Sequence, residues 1–517
     1  MKKLFSYALL LALPFTGIAQ KLVLEKTYEV DKKAKRGYLD LVTTNPTDKT
    51  TTLSFITNNG NNGKIKYQNY IFDKDYNFIK AEESAEQLYK NKRYKGENYS
   101  VEGITVEQGM LGKMVLRKKL VEYNWSWFNG QYNKKVTLLD KIKPKDEDGN
   151  SYMLVKKFEN DETGSVIALV IVAFGKGANP NEFILMKIDK DLKTEIIDKR
   201  TFTSPKYLSK SFVIPAEVDE DDNEEEVSEE DISKSDICFM FAGNPDKKNK
   251  EAANNFQMWR VSKEGKILNT VDIKVLKSGW NVESVIAKNG SLYFVGPANE
   301  EVSSKAPDET KWKFYQLAKI TKDKVDYVTS TDMDEFEAKL KKPASQSKSP
   351  AYKGKRFRLV KSNVTADGSL FLCGQNFKEA EFQDVLMFYF DNAGKLKAQY
   401  GVRLEEVNTA SKGKATNQFV QDSNGSVFWT VWELCGYKEE VGDNGIQKGL
   451  YYPSVAKINL GTGEIGDFVK FGTVKDKPKY YLQNSYPIIT NPSDGSQVYL
   501  GVDKPGKVFW FGKIVMD

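Results

Sequence analysis

Aromatic residues are the side chains in this sequence best suited to hold a ligand. Tyr123, Trp125 and Trp127 alternate along one stretch, which places three rings on the same face of a strand. Trp429 and Trp432 form a second aromatic stretch farther along the chain. Flat rings can stack on a sugar or a peptide, although rings in strands more often belong to the core. We therefore take Trp125, Trp127, Trp429 and Trp432 as candidate binding residues, with burial in the core as the alternative.

Acid–base chemistry has little support in the sequence. The chain contains no histidine, which excludes Ser-His-Asp triads, Cys-His pairs and zinc sites built on histidine. No phosphate-binding loop, dinucleotide fingerprint or nucleophile elbow is present. We therefore predict a protein that is not an enzyme and has no cofactor, while a lyase based on lysine or tyrosine stays open.

One stretch, Asp146 to Asn150, resembles a calcium loop. With its glycine at the sixth position of an EF-hand, Pro144 would stand at the first, where a carboxylate is needed. We interpret the stretch as a polar turn and predict no metal site.

The three cysteines are Cys238, Cys373 and Cys435, and each lies in or at the end of an apolar run. An odd number excludes a fully paired disulfide framework. We predict buried free thiols that pack as small apolar residues, with a Cys373–Cys435 bridge as the alternative.

Two kinds of turn recur along nearly the whole chain and define the elements that carry these residues. A Gly-Ser pair opens a strand-like run at Gly164, Gly290, Gly368, Gly425 and Gly495. A polar turn follows the next run, for example at Asp73–Asp75, Asp189–Asp191, Lys263–Gly265 and Asn392–Gly394. The gap between Gly164 and Gly290 holds one degenerate copy at Asp236, so the five steps average about 66 residues. Alternating strands in a long repeat are typical of a β-propeller. Tandem β-sandwiches would need linkers and longer repeats.

The chain ends determine the expected number of blades. The last repeat stops one strand short at Val508 to Val515, and Leu22 to Val30 is a strand without a repeat of its own. Pairing these two runs would hide both edges and close the ring. We therefore predict an all-β fold, an eight-bladed β-propeller closed by the N-terminal strand, with seven blades as the alternative.

Three segments interrupt the repeat. Residues 217–231 contain eleven carboxylates and predict a solvated loop. Residues 332–341 predict a helix that begins at Asp332, and residues 341–358 follow as a basic loop rich in Pro and Ser. Ser84 to Lys92 is a weaker helix candidate. We expect the two charged segments to contribute little to the core and to contact a partner, with solvated, inert loops as the alternative.

The N-terminus and the charge indicate an exported protein. Residues 1–19 have a basic start, a short apolar run and small residues before the expected cleavage point after Ala19, which is typical of a Sec signal peptide. Residues 20–517 then form one propeller domain without a transmembrane anchor. The formal charge of +6 is small beside 77 basic and 71 acidic residues, which argues against nucleic-acid binding.

The signal peptide, the Gly-Ser turns and the propeller repeat together resemble the periplasmic β-propellers of Bacteroidota-type envelopes. Some members associate with outer-membrane machines, such as the plug subunits of the type 9 protein translocon. The resemblance covers almost the whole chain as architecture, and it carries over no functional residue. It implies a periplasmic, non-catalytic scaffold or binding protein whose partner is another protein, for example an outer-membrane protein-export complex. The alternative is an exported propeller that binds or cleaves a glycan.

Overall fold

The fold is described from a computed structural model. It describes residues 21–58, 64–87, 98–126, 131–160, 163–214, 235–244, 250–301, 311–379, 381–403, 415–423, 425–439, 447–475, 477–483 and 485–515. The expected signal peptide and the acidic segment 217–231 lie outside these residues.

The described part of the chain forms eight antiparallel sheets of three to five strands and one two-stranded ribbon. Strand β1 (Lys21–Glu29) and helix α1 (Lys32–Arg36) precede sheet 1, which holds β2 (Tyr38–Asn45), β3 (Thr50–Asn58), β4 (Lys64–Phe72) and β5 (Phe78–Gln87). Sheet 2 holds β6 (Tyr99–Gln108), β7 (Met114–Ser126) and β8 (Gln131–Ile142), with a 3₁₀ turn at Met110–Gly112. Sheet 3 holds β9 (Met153–Asn160), β10 (Ser165–Val172), β11 (Asn179–Ile188) and β12 (Thr194–Thr201).

The next sheets follow the same order. Sheet 4 holds β13 (Lys206–Ile214), β14 (Asp236–Gly243), β15 (Asn255–Val261) and β16 (Ile267–Lys274), with a 3₁₀ turn at Lys250–Asn254. Sheet 5 holds β17 (Gly279–Trp280), β18 (Ser284–Lys288), β19 (Ser291–Asn299), β20 (Phe314–Thr321) and β21 (Lys324–Asp332), and helix α2 (Met333–Ala338) follows it. Sheet 6 holds β22 (Phe357–Val364), β23 (Leu370–Lys378), β24 (Glu381–Phe390) and β25 (Leu396–Val402).

The last two sheets contain more short strands. Sheet 7 holds β26 (Gln418–Ser423), β27 (Ser426–Glu439), β28 (Gln447–Asn459) and β29 (Val469–Lys470), and the ribbon holds β30 (Thr473–Val474) and β31 (Lys477–Pro478). Sheet 8 holds β32 (Tyr480–Leu482), β33 (Ile488–Thr490), β34 (Gln497–Asp503) and β35 (Val508–Val515), together with β1.

The repeated turns lie where the sequence predicts them. Each Gly-Ser pair stands at the start of β10, β19, β23, β27 or β34, and all five glycines have φ between +65° and +84°, which favours glycine. The polar turns connect the third strand of a sheet to the fourth. In the turns at Asp73, Asp189 and Asp391, the aspartate carboxylate accepts hydrogen bonds from backbone N–H groups two and four residues later.

The core lies between successive sheets, and sheets 3 to 8 bury both of their faces. In β14, Cys238 and Met240 pack toward sheet 5, whereas Phe239 and Phe241 pack toward sheet 3. Similar clusters join sheets 2 and 3, 5 and 6, 6 and 7, 7 and 8, and 8 and 1. This succession of face-packed antiparallel sheets is a β-propeller architecture. Among the described residues no such cluster joins sheet 1 to sheet 2, so the closed ring and its count of eight blades stay predictions.

The two ends of the chain meet in sheet 8, as the sequence predicts. Strand β1 pairs with β35 in antiparallel register, from Lys21 opposite Val515 to Glu29 opposite Val508. The indole N–H of Trp510 also donates to Glu25 at 2.8 Å. Tyr28, near the end of β1, packs against the core shared by sheets 8 and 1.

The helix predicted from Ser84 is not observed in the described residues. Ser84 to Gln87 belong to β5 and not to a helix, because pairing with β4 outweighs the helical propensity of this run, and 88–92 lie outside the described residues. Helix α2 is confirmed, with the Asp332 carboxylate accepting from the N–H of Asp334 and Phe336 fully buried.

The expectation that the basic segment 341–358 contributes little to the core is also wrong. Lys339 and Lys341 exchange backbone hydrogen bonds with Gln399 of β25, and the ring of Tyr352 is fully buried between sheets 5 and 6. The segment therefore covers the outer edge of sheet 6 and contributes to its core.

The three cysteines are free thiols, as predicted. Cys238 and Cys373 are buried, and Cys435 is half-buried with its thiol donating to the carbonyl of Leu450 at 3.3 Å.

Candidate protein-binding surface on the second sheet

Two of the four candidate tryptophans are core residues. Trp429 is fully buried between sheets 6 and 7, and its indole N–H donates to Gln418 at 3.1 Å. Trp432 is buried between sheets 7 and 8 against Phe419 and Tyr451. The prediction that these two rings offer a stacking face is therefore corrected, since both sides of sheet 7 are covered by neighbouring sheets.

The other two tryptophans stay predictions. Trp125 is the penultimate residue of β7 and pairs with Tyr132, but its side chain, like the whole of Trp127, lies outside the described residues. Nearby, the rings of Tyr99 and Tyr123 stack with their centroids 4.6 Å apart.

One partly buried titratable network lies in sheet 7. The Tyr452 hydroxyl donates to Glu433 at 2.6 Å, and the Lys470 ammonium donates to the Tyr452 oxygen at 3.0 Å and lies 3.1 Å from Glu433. A tyrosine beside a lysine could serve a proton-transfer reaction, but only with a lowered pKa.

The environment raises the pKa values of these groups instead of lowering them. Burial, and then the hydrogen bond to Glu433, raise the pKa of Tyr452 well above its usual value. Burial alone would lower the pKa of Lys470, but its contacts with Tyr452 and Glu433 raise it instead. Burial also raises the pKa of the nearby Cys435 thiol to about 11. All three groups hold their protons at neutral pH, so the network acts as a structural ion pair within the sheet.

Carboxylates and thiols could also serve as metal ligands. No cluster of three or more Cys, Asp or Glu residues able to hold a metal ion occurs in the described part of the chain. The Asp146 carboxylate accepts hydrogen bonds from the backbone and side chain of Asn150 at 2.7 and 2.9 Å. This stretch is therefore a polar turn, as the sequence predicts.

Sheet 2 presents the most exposed apolar surface among the described residues. Val136 and Leu138 are each 52% exposed, and Leu139 and Ile142 on the same strand are also exposed. Met110 and Leu111, in the turn between β6 and β7, are exposed almost completely. Apolar groups gathered on one sheet in this way form a candidate binding surface.

The exposure follows from the number of strands in sheet 2. Its order is β6-β7-β8, so β8 is an outer strand. Val136 lies opposite Val121 and Leu138 opposite Lys119, on the face turned away from sheet 3. Ile142 lies opposite Leu116, on the face that packs against sheet 3. Apolar side chains therefore emerge on both faces of β8.

Positive charge surrounds these apolar residues. Residues 131–145 contain five lysines (Lys134, Lys135, Lys141, Lys143 and Lys145) and one carboxylate, Asp140. Lys135 pairs with Glu122 across the strands at 3.0 Å. We call Val136, Leu138, Leu139 and Ile142, together with these five lysines, the β8 surface.

Sheet 2 is anchored on its inner side by a contact with sheet 3. The Lys118 ammonium donates to Asp191 at 2.9 Å, and this hydrogen bond raises the pKa of Lys118 and lowers that of Asp191. The β8 surface therefore stands on a sheet that is fixed to the rest of the molecule.

The β8 surface was not predictable from the local sequence. The run from Val136 to Leu139 has the composition of a buried strand, and the only signal is that residues 97–147 fit the repeat less regularly than the other units.

Comparisons with known proteins find only distant structural similarity. No protein family matches the sequence, and no curated protein matches it. Among solved structures, an apocarotenoid oxygenase from Synechocystis has 8% identity and a TM-score of 0.27, covering 81% of this chain and 96% of that one. A β-1,3-galactosidase of glycoside hydrolase family 43 has 9% identity and a TM-score of 0.24, covering 80% and 88%. A protein from Lactobacillus plantarum has 8% identity and a TM-score of 0.26, covering 81% and 95%. Similarity this low carries no argument about activity.

No helix in the described residues is long and apolar enough to cross a membrane.

Proposed function

We propose that this protein is a non-catalytic scaffold of the cell envelope that binds another protein through the β8 surface. The observation that carries the proposal is a half-exposed apolar strand, flanked by lysines, on a rigid sheet. Interfaces bury apolar side chains at their centre and keep charges at their rim, and the β8 surface has this composition.

The titratable groups described in sheet 7 fit a structural role. Tyr452, Lys470 and Cys435 have raised pKa values. Burial of Trp429 and Trp432 removes two of the four residues on which the glycan-binding alternative rested.

The location and partner are proposed on sequence grounds. The signal-like N-terminus indicates export through the Sec pathway to the periplasm. The resemblance to periplasmic envelope propellers makes an outer-membrane protein-export complex, such as the type 9 translocon, the partner of first choice, with this chain in the place of the plug subunit.

A charge placed in the apolar surface tests the proposal. We expect a Val136→Asp/Leu138→Asp variant to keep its melting temperature, because both residues are half-exposed, and to lose at least tenfold in recovery of a stoichiometric partner from solubilised envelopes. A variant with Ile196→Asp and Leu268→Asp is the matched control, since these exposed residues lie singly on outer strands of sheets 3 and 4. Equal loss in both variants, or no stoichiometric partner of the unaltered protein, would contradict the proposal.

A further inference from the structure

Strand β8 is the third strand of sheet 2, and no fourth strand pairs with it among the residues that the structure describes. In sheets 3 to 6 the third strands β11, β15, β20 and β24 pair on both sides and are largely buried. In the described part of the chain β8 pairs only with β7, and from Asn133 to Ile142 every residue except Thr137 is exposed. A long apolar edge of this kind is a template for pairing with another strand.

The chain covers a comparable edge elsewhere with its own residues. In sheet 6 the segment around Leu340 runs parallel to β25 and pairs at Gln399, and the Ser349 hydroxyl donates to the carbonyl of Gly401 at 2.6 Å. An outer edge is thus protected in one sheet and open in another.

We infer that a partner protein supplies the missing fourth strand of sheet 2 by pairing antiparallel with β8. This inference rests on the proposed function and adds the mode of binding. Strand addition to a sheet edge gives affinity through backbone hydrogen bonds and specificity through alternate side chains. The outer strands β5, β12, β16, β21 and β25 are 7 to 10 residues long, which sets the length of the donated segment.

The side chains of β8 define the chemistry of that segment. On one face Lys134, Val136 and Leu138 follow one another, and on the other Lys135 and Thr137 do so. Cross-strand neighbours of opposite charge stabilise a sheet, and like charges destabilise it. The donated strand therefore carries apolar side chains opposite Val136 and Leu138 and carboxylates opposite the lysines.

The same charges disfavour a second copy of this chain as the donor. Two β8 strands side by side would bring together two strands with three lysines and one carboxylate each. An acidic, apolar segment of a different protein matches the surface better.

Synthetic peptides test the pairing on the purified full chain. The first is a ten-residue peptide of alternating valine and glutamate. The second has lysine in place of each glutamate. In the third, proline replaces the two central residues; this peptide keeps part of the negative charge, but its prolines have no backbone N–H to donate. Binding is measured by fluorescence anisotropy, and the site by hydrogen exchange of the β8 amides.

We expect the acidic peptide to bind at least tenfold more tightly than either control and to slow exchange across β8. Lys134→Glu, Lys135→Glu and Lys141→Glu together should reverse the preference toward the lysine peptide. The matched triple variant Lys190→Glu, Lys193→Glu and Lys199→Glu, at and before β12 in sheet 3, should leave it unchanged.

Three results would overturn the inference: no binding of the acidic peptide, equal binding of the proline peptide, or protection of β8 on concentrating the protein alone. If one of them occurs while the Val136→Asp/Leu138→Asp variant still loses its envelope partner, strand addition fails and the proposed function stands. If that variant keeps its partner, the proposed function fails independently of the peptides.

Discussion

Buried glutamines show how single polar residues serve this fold. Gln399 is fully buried, accepts the backbone N–H of Tyr352 at 2.9 Å and donates to the carbonyl of Pro350 at 3.1 Å. Gln316 accepts from the N–H groups of Leu276 and Lys277 in the same way. Because a carboxamide both donates and accepts, it satisfies the backbone of a connecting segment that would otherwise be buried without partners. Such residues stabilise the connections between sheets, and this structural role explains their burial.

Asp494 gives the stability of sheet 8 a dependence on pH. Partial burial would raise its pKa, but hydrogen bonds from Lys513 and Ser496 outweigh burial and lower it from 3.8 to about 2. The charged form therefore stabilises the fold above about pH 4, and this stabilisation is lost as the pH falls toward 2.

We expect Asp494→Asn to lower the free energy of unfolding at pH 7 by about 1 kcal/mol or less, because both members of the pair are partly exposed and water screens them. The difference from the unaltered protein should shrink as the pH falls from 4 to 2. Urea denaturation at several pH values measures it, and a constant difference across this range would contradict the assignment.

At the residue scale the sequence predicts environments less well than it predicts turns. Trp429 and Trp432 lie on opposite faces of β27, and both faces of sheet 7 are buried, so an aromatic stretch does not identify a solvent face. Val136 and Leu138 show the reverse case. Their run looks like core, but among the described residues β8 pairs on one side only and no neighbouring sheet packs on their face.

At the scale of elements, the segment 341–358 contributes more to stability than its composition suggests. The ring of Tyr352 packs against Phe336, Phe357 and Phe388, with centroids 5.1 to 5.8 Å away. Its hydroxyl has no hydrogen-bond partner among the described residues. The segment thus adds an aromatic plug between sheets 5 and 6.

We expect Tyr352→Ala to lower the free energy of unfolding by about 3–4 kcal/mol, since it removes a fully buried ring and leaves a cavity. Tyr352→Phe is the matched control and should be neutral or stabilising, because only the unpaired hydroxyl is lost. Chemical denaturation of both variants tests this, and a neutral Tyr352→Ala would restore the interpretation of the segment as an inert loop.

Strands and turns were predictable where local chemistry determines them. The Gly-Ser pairs identify second strands because φ near +70° favours glycine, and the Asp turns identify the step from third to fourth strand. The Ser84 run was predicted as a helix because its residues favour one in isolation. Pairing with β4 is a tertiary effect that no local pattern contains.

At the scale of the whole molecule, β1 completes the last sheet. We expect deletion of residues 20–31 to abolish cooperative thermal unfolding, because it removes every rung of the β1–β35 ladder and the packing of Tyr28. Val23→Asp is the control, since Val23 is exposed at the bulge of β1 and should keep its melting temperature. An unchanged transition in the deletion would show that sheet 8 is stable without β1.

The β1–β35 ladder also determines how the protein responds to mechanical load. Lys21 and Val515 lie opposite each other at one end of the ladder, and Glu29 and Val508 at the other. Tension applied to the chain outside residues 21 and 515 therefore pulls on a single rung at a time and peels the two strands apart, whereas a shearing geometry would load all rungs together. Sheet 8 is then the first part of the molecule to open under tension. Sheets 2 to 7 carry none of the force until it has opened.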